Sequence, residues 1–266
     1  LMEAFGVSPK DDPASRVDPD HRRKATIMMP GDVYSYFWRD HDLPASAQKD
    51  GIKKGFSYLD FWYNKDYNAA ATGQCQGPCG GNNVKHLYGD NADHKAELGI
   101  TPGRMSNALP TPLLRLSDIY LIYAEAQVLM GNNTDQFALD CFNEVRGRAY
   151  EWQGFVRKTS LTFDDIWKER RLEFAGEGDR WYDFVRRSYY DADACVQELK
   201  AQHRNAMWNC DAAYKAYYNS GTWDSSEIQY DENTAAPNVT ASSFTLPFPT
   251  EDVALNPNLG SNATPI

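Results

Sequence analysis

A mostly α-helical chain with long irregular loops and short extended segments is the fold class that this sequence predicts, on three observations. Apolar residues recur at helical spacing from Leu113 to Met130 and again from Asp135 to Ala149. Thr162 followed by Phe163, Asp164 and Asp165 gives a further helix a hydroxyl cap and an acidic first turn. Pro, Gly, Asn and Asp recur throughout residues 1–112, where only short regular elements are expected.

Within the first helical run, Leu113, Leu116, Tyr120, Tyr123, Ala124 and Val128 predict a long, largely buried helix that stops at Gly131 and two Asn residues. Phe137, Cys141, Phe142 and Val145 share a face of the second helix, so a short loop joins an αα-hairpin. Ala126, Ala138 and the Ala138-x-x-x-Phe142 spacing give the hairpin a tetratricopeptide-type character, with the two alanines expected at the helix crossing. Ile166, Trp167, Arg170 and Phe174 mark the inner face of a third helix, interrupted at Gly176 and Gly178 before a fourth near Arg180 to Arg187. Helical patterning is weak from Ala192 to Trp208, and the Pro-punctuated tail from Phe244 to Asn258 reads as extended. Phe56 to Tyr63 is too aromatic to assign to helix or strand. The change of character at Pro112 divides the chain into a loop-rich aromatic region, 1–112, and a helical region with an extended tail, 113–266.

With 37 acidic and 27 basic residues the formal charge is −10, a field that repels nucleic-acid phosphates and argues against such partners. No stretch approaches the roughly 18 apolar residues of a membrane-spanning helix. Leu1 to Asp12 carries neither a signal-like apolar run nor a lipid-anchor cysteine, and reads as the interior of a longer chain. Of the 5 cysteines, Cys141 on an apolar helix face is expected to be a buried thiol, while the Cys75/Cys79 spacing permits a small disulfide-closed loop. His86 and His94 follow that loop, but no second close Cys or His pair completes a zinc pattern.

The densest charge cluster runs from Glu169 to Arg187. Glu173 and Glu177, one helical turn apart, could serve as the acid and base of a glycoside hydrolase if they lined a cleft. The alternating acids and arginines around Trp167, Phe174 and Trp181 instead favour an ion-paired layer beside aromatic rings, because bidentate guanidinium contacts keep carboxylates ionised.

The runs Leu114-Arg115-Leu116-Ser117-Asp118-Ile119-Tyr120-Leu121-Ile122-Tyr123-Ala124-Glu125-Ala126, Asn143-Glu144-Val145-Arg146-Gly147-Arg148-Ala149, Glu169-Arg170-Arg171-Leu172-Glu173 and Glu177-Gly178-Asp179-Arg180-Trp181-Tyr182-Asp183 agree in order and spacing with one signature. Together with the tail Leu246 to Leu259 and a fainter echo at Asp18-Pro19-Asp20-His21-Arg22, they resemble the C-terminal half of the SusD/RagB family. The ending Gly260 to Ile266 departs from that family's usual close. The resemblance implies a SusD-like fold and a non-enzymatic, cell-surface-exposed outer-membrane lipoprotein. Such a protein captures oligosaccharide for a SusC-like TonB-dependent transporter and touches the membrane only through a lipid anchor that this chain lacks.

Pyranose faces stack on exposed Trp and Tyr rings while amides and carboxylates bond the hydroxyls, so the sugar site is sought among loop aromatics. Tyr36, Trp38, Trp62, Tyr63, Tyr67 and Tyr88 are the candidate ligand-binding residues, with Trp208, Tyr217 and Trp223 fainter ones. A flat exposed platform of Trp38, Trp62 and Tyr67 would support a sugar reading, and full burial of all three would remove its main support. No catalytic residue, metal ligand or cofactor is assigned. Calcium stays open, with Asp90, Asp93 and Asp231 as loose oxygen donors but no D-x-D-x-D-G loop. Sequons at Asn132, Asn238 and Asn262 are chance matches in a bacterial protein. The rival readings are a protein-interaction or non-carbohydrate nutrient-binding helical module and, behind it, a glycoside hydrolase.

Overall fold

The computed structural model describes residues 1–75, 80–89, 91–101, 109–202, 207–230, 237–246, 248–256 and 258–261. The chain divides into two units, one of Leu1–Gly176 with Ala206–Asp231 and one of Glu177–Asn205 with Glu232–Ile266. Residue 112, where the sequence changes character, lies inside the first unit.

The first unit opens with α1 (Arg22–Thr26) and three two-residue strands, β1 (Ile27–Met28), β2 (Val33–Tyr34) and β3 (Phe56–Ser57). The aromatic run after β3 becomes α2 (Tyr58–Tyr63), started by Ser57, whose hydroxyl accepts from the Asp60 backbone N–H. The run Phe56 to Tyr63 is therefore strand and then helix, with the cap at the junction. β4 (Asn82–Asn83) pairs antiparallel with β1, and β2 pairs with β3 so that Val33 faces Ser57 and Tyr34 faces Phe56. Gly55 permits that second pairing: its φ is +139°, and a Cβ there would lie 2.0 Å from the Tyr34 carbonyl oxygen. After α3 (Asn91–Leu98) come the hairpin helices α4 (Leu116–Leu129) and α5 (Gln136–Ala149), then α6 (Phe163–Glu173).

Leu121, Ala124, Ala138, Leu139, Phe142, Val145, Ile166 and Phe174 bury one shared core between α4, α5 and α6. Ala138 is buried in that core together with Ala124, whereas Ala126 faces outward. The expectation that α4 is largely buried is likewise corrected: Leu116 is 64% exposed, and Ile119, Ile122, Leu129 and Met130 are also exposed. Apolar residues surround most of this helix, so periodicity alone could not choose its inner face. Cys141 is a buried free thiol, as expected. At the start of α6 the Thr162 hydroxyl and the Asp165 side chain each accept from the other's backbone N–H in a capping box. Thr162→Ala is expected to cost about 1 kcal/mol in urea unfolding.

A second, aromatic core of the same unit gathers Met28, Tyr34, Phe37, Phe56, Tyr58 and Leu59 with residues of β5 (Met207–Trp208) and of the helix that follows the strand. Between α6 and β5 in sequence lies α7 (Asp179–Lys200), which belongs to the second unit and kinks at Asp191. The helix after β5 is α8 (Cys210–Ser220), and β6 (Gln229–Tyr230) pairs with β5.

In the second unit, the tail residue Phe244 stacks on Trp181 and Phe184 of α7. The tail is less extended than its prolines imply. It carries two short helices, α9 (Thr250–Leu255) and α10 (Asn258–Ser261). Pro249 at the helix start and Glu251 and Asp252 in the first turn favour α9 rather than oppose it.

Candidate functional site

The arginine-rich motifs form an ion-paired layer in the first unit. Glu173 is buried and accepts from Arg115 at 2.8 Å, from Arg22 at 3.0 Å and from Arg148. Arg22 and Arg146 also reach Glu169 at 2.8 and 3.2 Å, and Arg170 reaches Asp118 at 2.6 Å. The Arg115 and Arg170 guanidiniums lie over the Phe174 ring. Burial alone would raise the Glu173 pKa, but the Arg115 hydrogen bond, with Arg148 and Arg22, holds it down at about 2. A carboxyl held ionised in this way is the opposite of a glycosidase acid, which must be kept protonated near neutral pH. The layer also explains why the first unit reaches past residue 112, since Arg22 of the loop-rich segment is bonded to α6.

The loop aromatics meet elsewhere in that unit. A cavity of about 270 Å³ is lined by Met28, Phe37, Trp38, Phe56, Tyr58, Phe61, Trp62, Asn82, Asn83, Leu87 and Gly89. The β2–β3 pairing brings the Trp38 loop beside the start of α2, and the β1–β4 pairing supplies the two asparagines. Among these lining residues none carries a charge at neutral pH. The Tyr58 hydroxyl donates to Asn82 Oδ1 at 2.6 Å and so fixes the orientation of that amide. Trp38 is held by rings on several sides: His41 stacks on it at 4.2 Å, and Phe56, Phe61 and Tyr67 approach within 5.5 Å.

Of the sequence candidates, Trp38 and Trp62 line this cavity, and Tyr67 packs directly behind Trp38. Trp38, Trp62 and Tyr67 are all half-buried, a walled cavity rather than a flat platform. The Tyr67 hydroxyl donates to the Gly55 carbonyl at 2.5 Å and accepts from the Ser57 N–H, and burial pushes the phenol up to about 12. Tyr63 donates to Asp211 at 2.9 Å, and burial followed by that bond raises its pKa. Tyr36 is exposed and packs on Tyr34 and Phe37, whereas Tyr88 meets His94 edge to face. Tyr217 and Trp223 pack on each other, the Trp223 indole N–H donates to the Lys10 carbonyl, and Trp208 is exposed on β5. Phe61, Asn82 and Asn83 are cavity residues absent from the sequence candidates. Phe61 lies within a recognised aromatic run, while the asparagines follow a Gly-rich loop and carry no signal of their own.

Among the described residues no cluster of His, Cys, Asp or Glu could hold a metal ion, and no helix is long and apolar enough to cross a membrane. The Asp93 carboxylate accepts from the backbone N–H groups of Trp38 and Arg39, while Asp90, Asp231 and Cys79 lie outside the described residues. Cys75 is buried, with Sγ 3.6 Å from the Tyr58 hydroxyl.

The SusD family profile matches residues 4–264. The chain belongs to the SusD family. A SusD-like protein of Bacteroides ovatus is 32% identical over 257 residues, 92% of this chain and 40% of that protein. A crystal structure with xylogluco-oligosaccharide superposes at a TM-score of 0.61 and 28% identity, over 92% of this chain and 43% of that one. Another solved structure superposes at the same TM-score with 27% identity and the same coverage. This SusD-family chain thus spans about two fifths of the length of the relatives it matches. The mostly helical SusD-type fold expected from the motifs is the one found.

Proposed function

We propose that this chain binds a neutral oligosaccharide in the cavity of Trp38, Phe61 and Trp62, as part of a cell-surface lipoprotein of the outer membrane that delivers glycan to a SusC-like TonB-dependent transporter. The observation that carries the reading is the cavity lining: indole and phenyl rings offer faces to pyranose C–H groups, Asn82 and Asn83 offer amides to hydroxyls, and no charge favours an ion. Membership of the SusD family and the structural neighbour with xylogluco-oligosaccharide support the same ligand class. The chain is a binder and not a hydrolase in this reading, consistent with Glu173 held ionised by three arginines. No cofactor enters the proposal.

The test is a panel of soluble plant and microbial glycans, with xylogluco-oligosaccharide included, titrated against the full chain and followed by tryptophan fluorescence. Saturable binding without release of new reducing ends is expected. Turnover of any glycan would favour the hydrolase reading, and no binding to any member would remove the glycan reading. A second reading, protein docking alongside glycan binding, draws on the apolar stripe Leu116, Ile119, Ile122, Leu129 and Met130 along the outer face of α4.

A further inference from the structure

Trp38 holds a backbone conformation that a bulky residue rarely adopts, with φ at +56°. Such strain persists only where the surroundings over-determine it. The determinant here is Asp93, in the first turn of α3 and 55 residues away in sequence. One of its carboxylate oxygens accepts from the Trp38 N–H at 2.6 Å and the other from the Arg39 N–H at 3.3 Å. The turn closes when the His41 N–H donates to the Trp38 carbonyl at 3.0 Å, which places the His41 ring on the indole. Asp93 is only 2% exposed. Its seat exists because residue 89 is glycine: φ there is +94°, and a Cβ would lie 2.0 Å from Asp93 Oδ2 and 2.7 Å from Phe37 Cβ. Gly89 itself lines the cavity. The carboxylate, the left-handed turn and the cavity wall are therefore one assembly.

We propose that Asp93 is the positioning residue of the binding cavity, whose two hydrogen bonds to consecutive backbone N–H groups hold Trp38 in its left-handed turn and so aim the indole into the cavity. The inference rests on the reading of the cavity as a glycan site. Asp93 does not touch the ligand. It acts before binding, by removing the indole's freedom to leave the wall, and preorganisation of this kind raises affinity without adding a contact. A neutral amide in its place keeps one acceptor and turns the other oxygen into a donor, which faces the Arg39 N–H and cannot pair with it.

The experiment is ¹⁹F NMR of the full chain labelled with 5-fluorotryptophan, with the Trp38 line assigned by Trp38→Phe, combined with titration of xylogluco-oligosaccharide. In Asp93→Asn the Trp38 line should shift or broaden while the other tryptophan lines hold, and affinity should fall about tenfold. The cycle with Trp38→Ala separates positioning from general weakening: in that background Asp93→Asn should change affinity less than about twofold, whereas in Trp62→Ala the tenfold loss should remain. An unmoved Trp38 line, or an equal loss in the Trp38→Ala background, overturns the proposal. If Asp93→Asn does not fold, Asp93→Glu displaces the carboxylate by one methylene and is read in the same way. If the parent chain binds no sugar the glycan reading fails, and the ligand-free Trp38 line alone decides whether Asp93 positions the ring.

Discussion

Replacing Glu173 by alanine lowers the unfolding free energy by about 4 kcal/mol, because three guanidiniums lose one buried carboxylate together. Arg22, Arg115 and Arg148 converge on Glu173, and Arg22 is itself largely buried, so it cannot turn to water when its partner goes. Asp20 and Glu169 retain Arg22, which keeps the loss within the range for one broken buried pair. Urea unfolding at neutral pH reads the difference. The same residue gives the protein an acid-labile component. Its folded pKa of about 2 lies below the ordinary glutamate value of 4.5, so the stabilisation is fully present above pH 4.5 and is lost as pH falls through 2. The integrated loss is on the order of 3 kcal/mol. A chain carrying Glu173→Gln should lack that portion of the acid dependence, and an unchanged acid profile would contradict the assignment.

Removal of the Trp62 side chain is expected to weaken xylogluco-oligosaccharide binding about thirtyfold, the size of a ligand-anchoring aromatic. Trp62 is half-buried at the end of α2, and its indole meets the Phe61 ring at 4.9 Å, edge to face, so truncation opens the cavity wall without entering the main core. Folding should survive, with near-native circular dichroism, while the titration loses its affinity. Asn83→Ala should weaken binding by only a few-fold, since one exposed amide contributes about one hydrogen bond. A full loss of structure in Trp62→Ala would instead assign that ring to the core.

Legibility in the sequence followed the range of the interactions. The α4–α5 hairpin, the Thr162 cap and the break between α6 and α7 are local patterns, and each stands where its residues predict it. The ion-paired layer was legible as a type because Glu and Arg alternate beside aromatic residues, although nothing in the spacing named Arg22 as a partner of Glu173. The inner face of α4 was illegible because Leu116 and Ile119 are as apolar as Leu121, and only the position of α5 chooses between them. The cavity was half legible. Trp38 and Trp62 lie in aromatic runs that stand out from a loop-rich region, but two-residue strands have no periodicity, so the pairing that adds Asn82 and Asn83 could not be read. Asp93 read as a loose calcium donor, whereas its carboxylate is taken by two backbone donors that only the folded turn presents.

The most direct test of the proposed glycan site is a crystal structure of the full chain soaked with xylogluco-oligosaccharide. Pyranose rings are expected to sit against Trp38 and Trp62, with hydroxyls bonded to Asn82 or Asn83. A sugar bound elsewhere on the chain, with this cavity left unoccupied at saturating ligand, would contradict it.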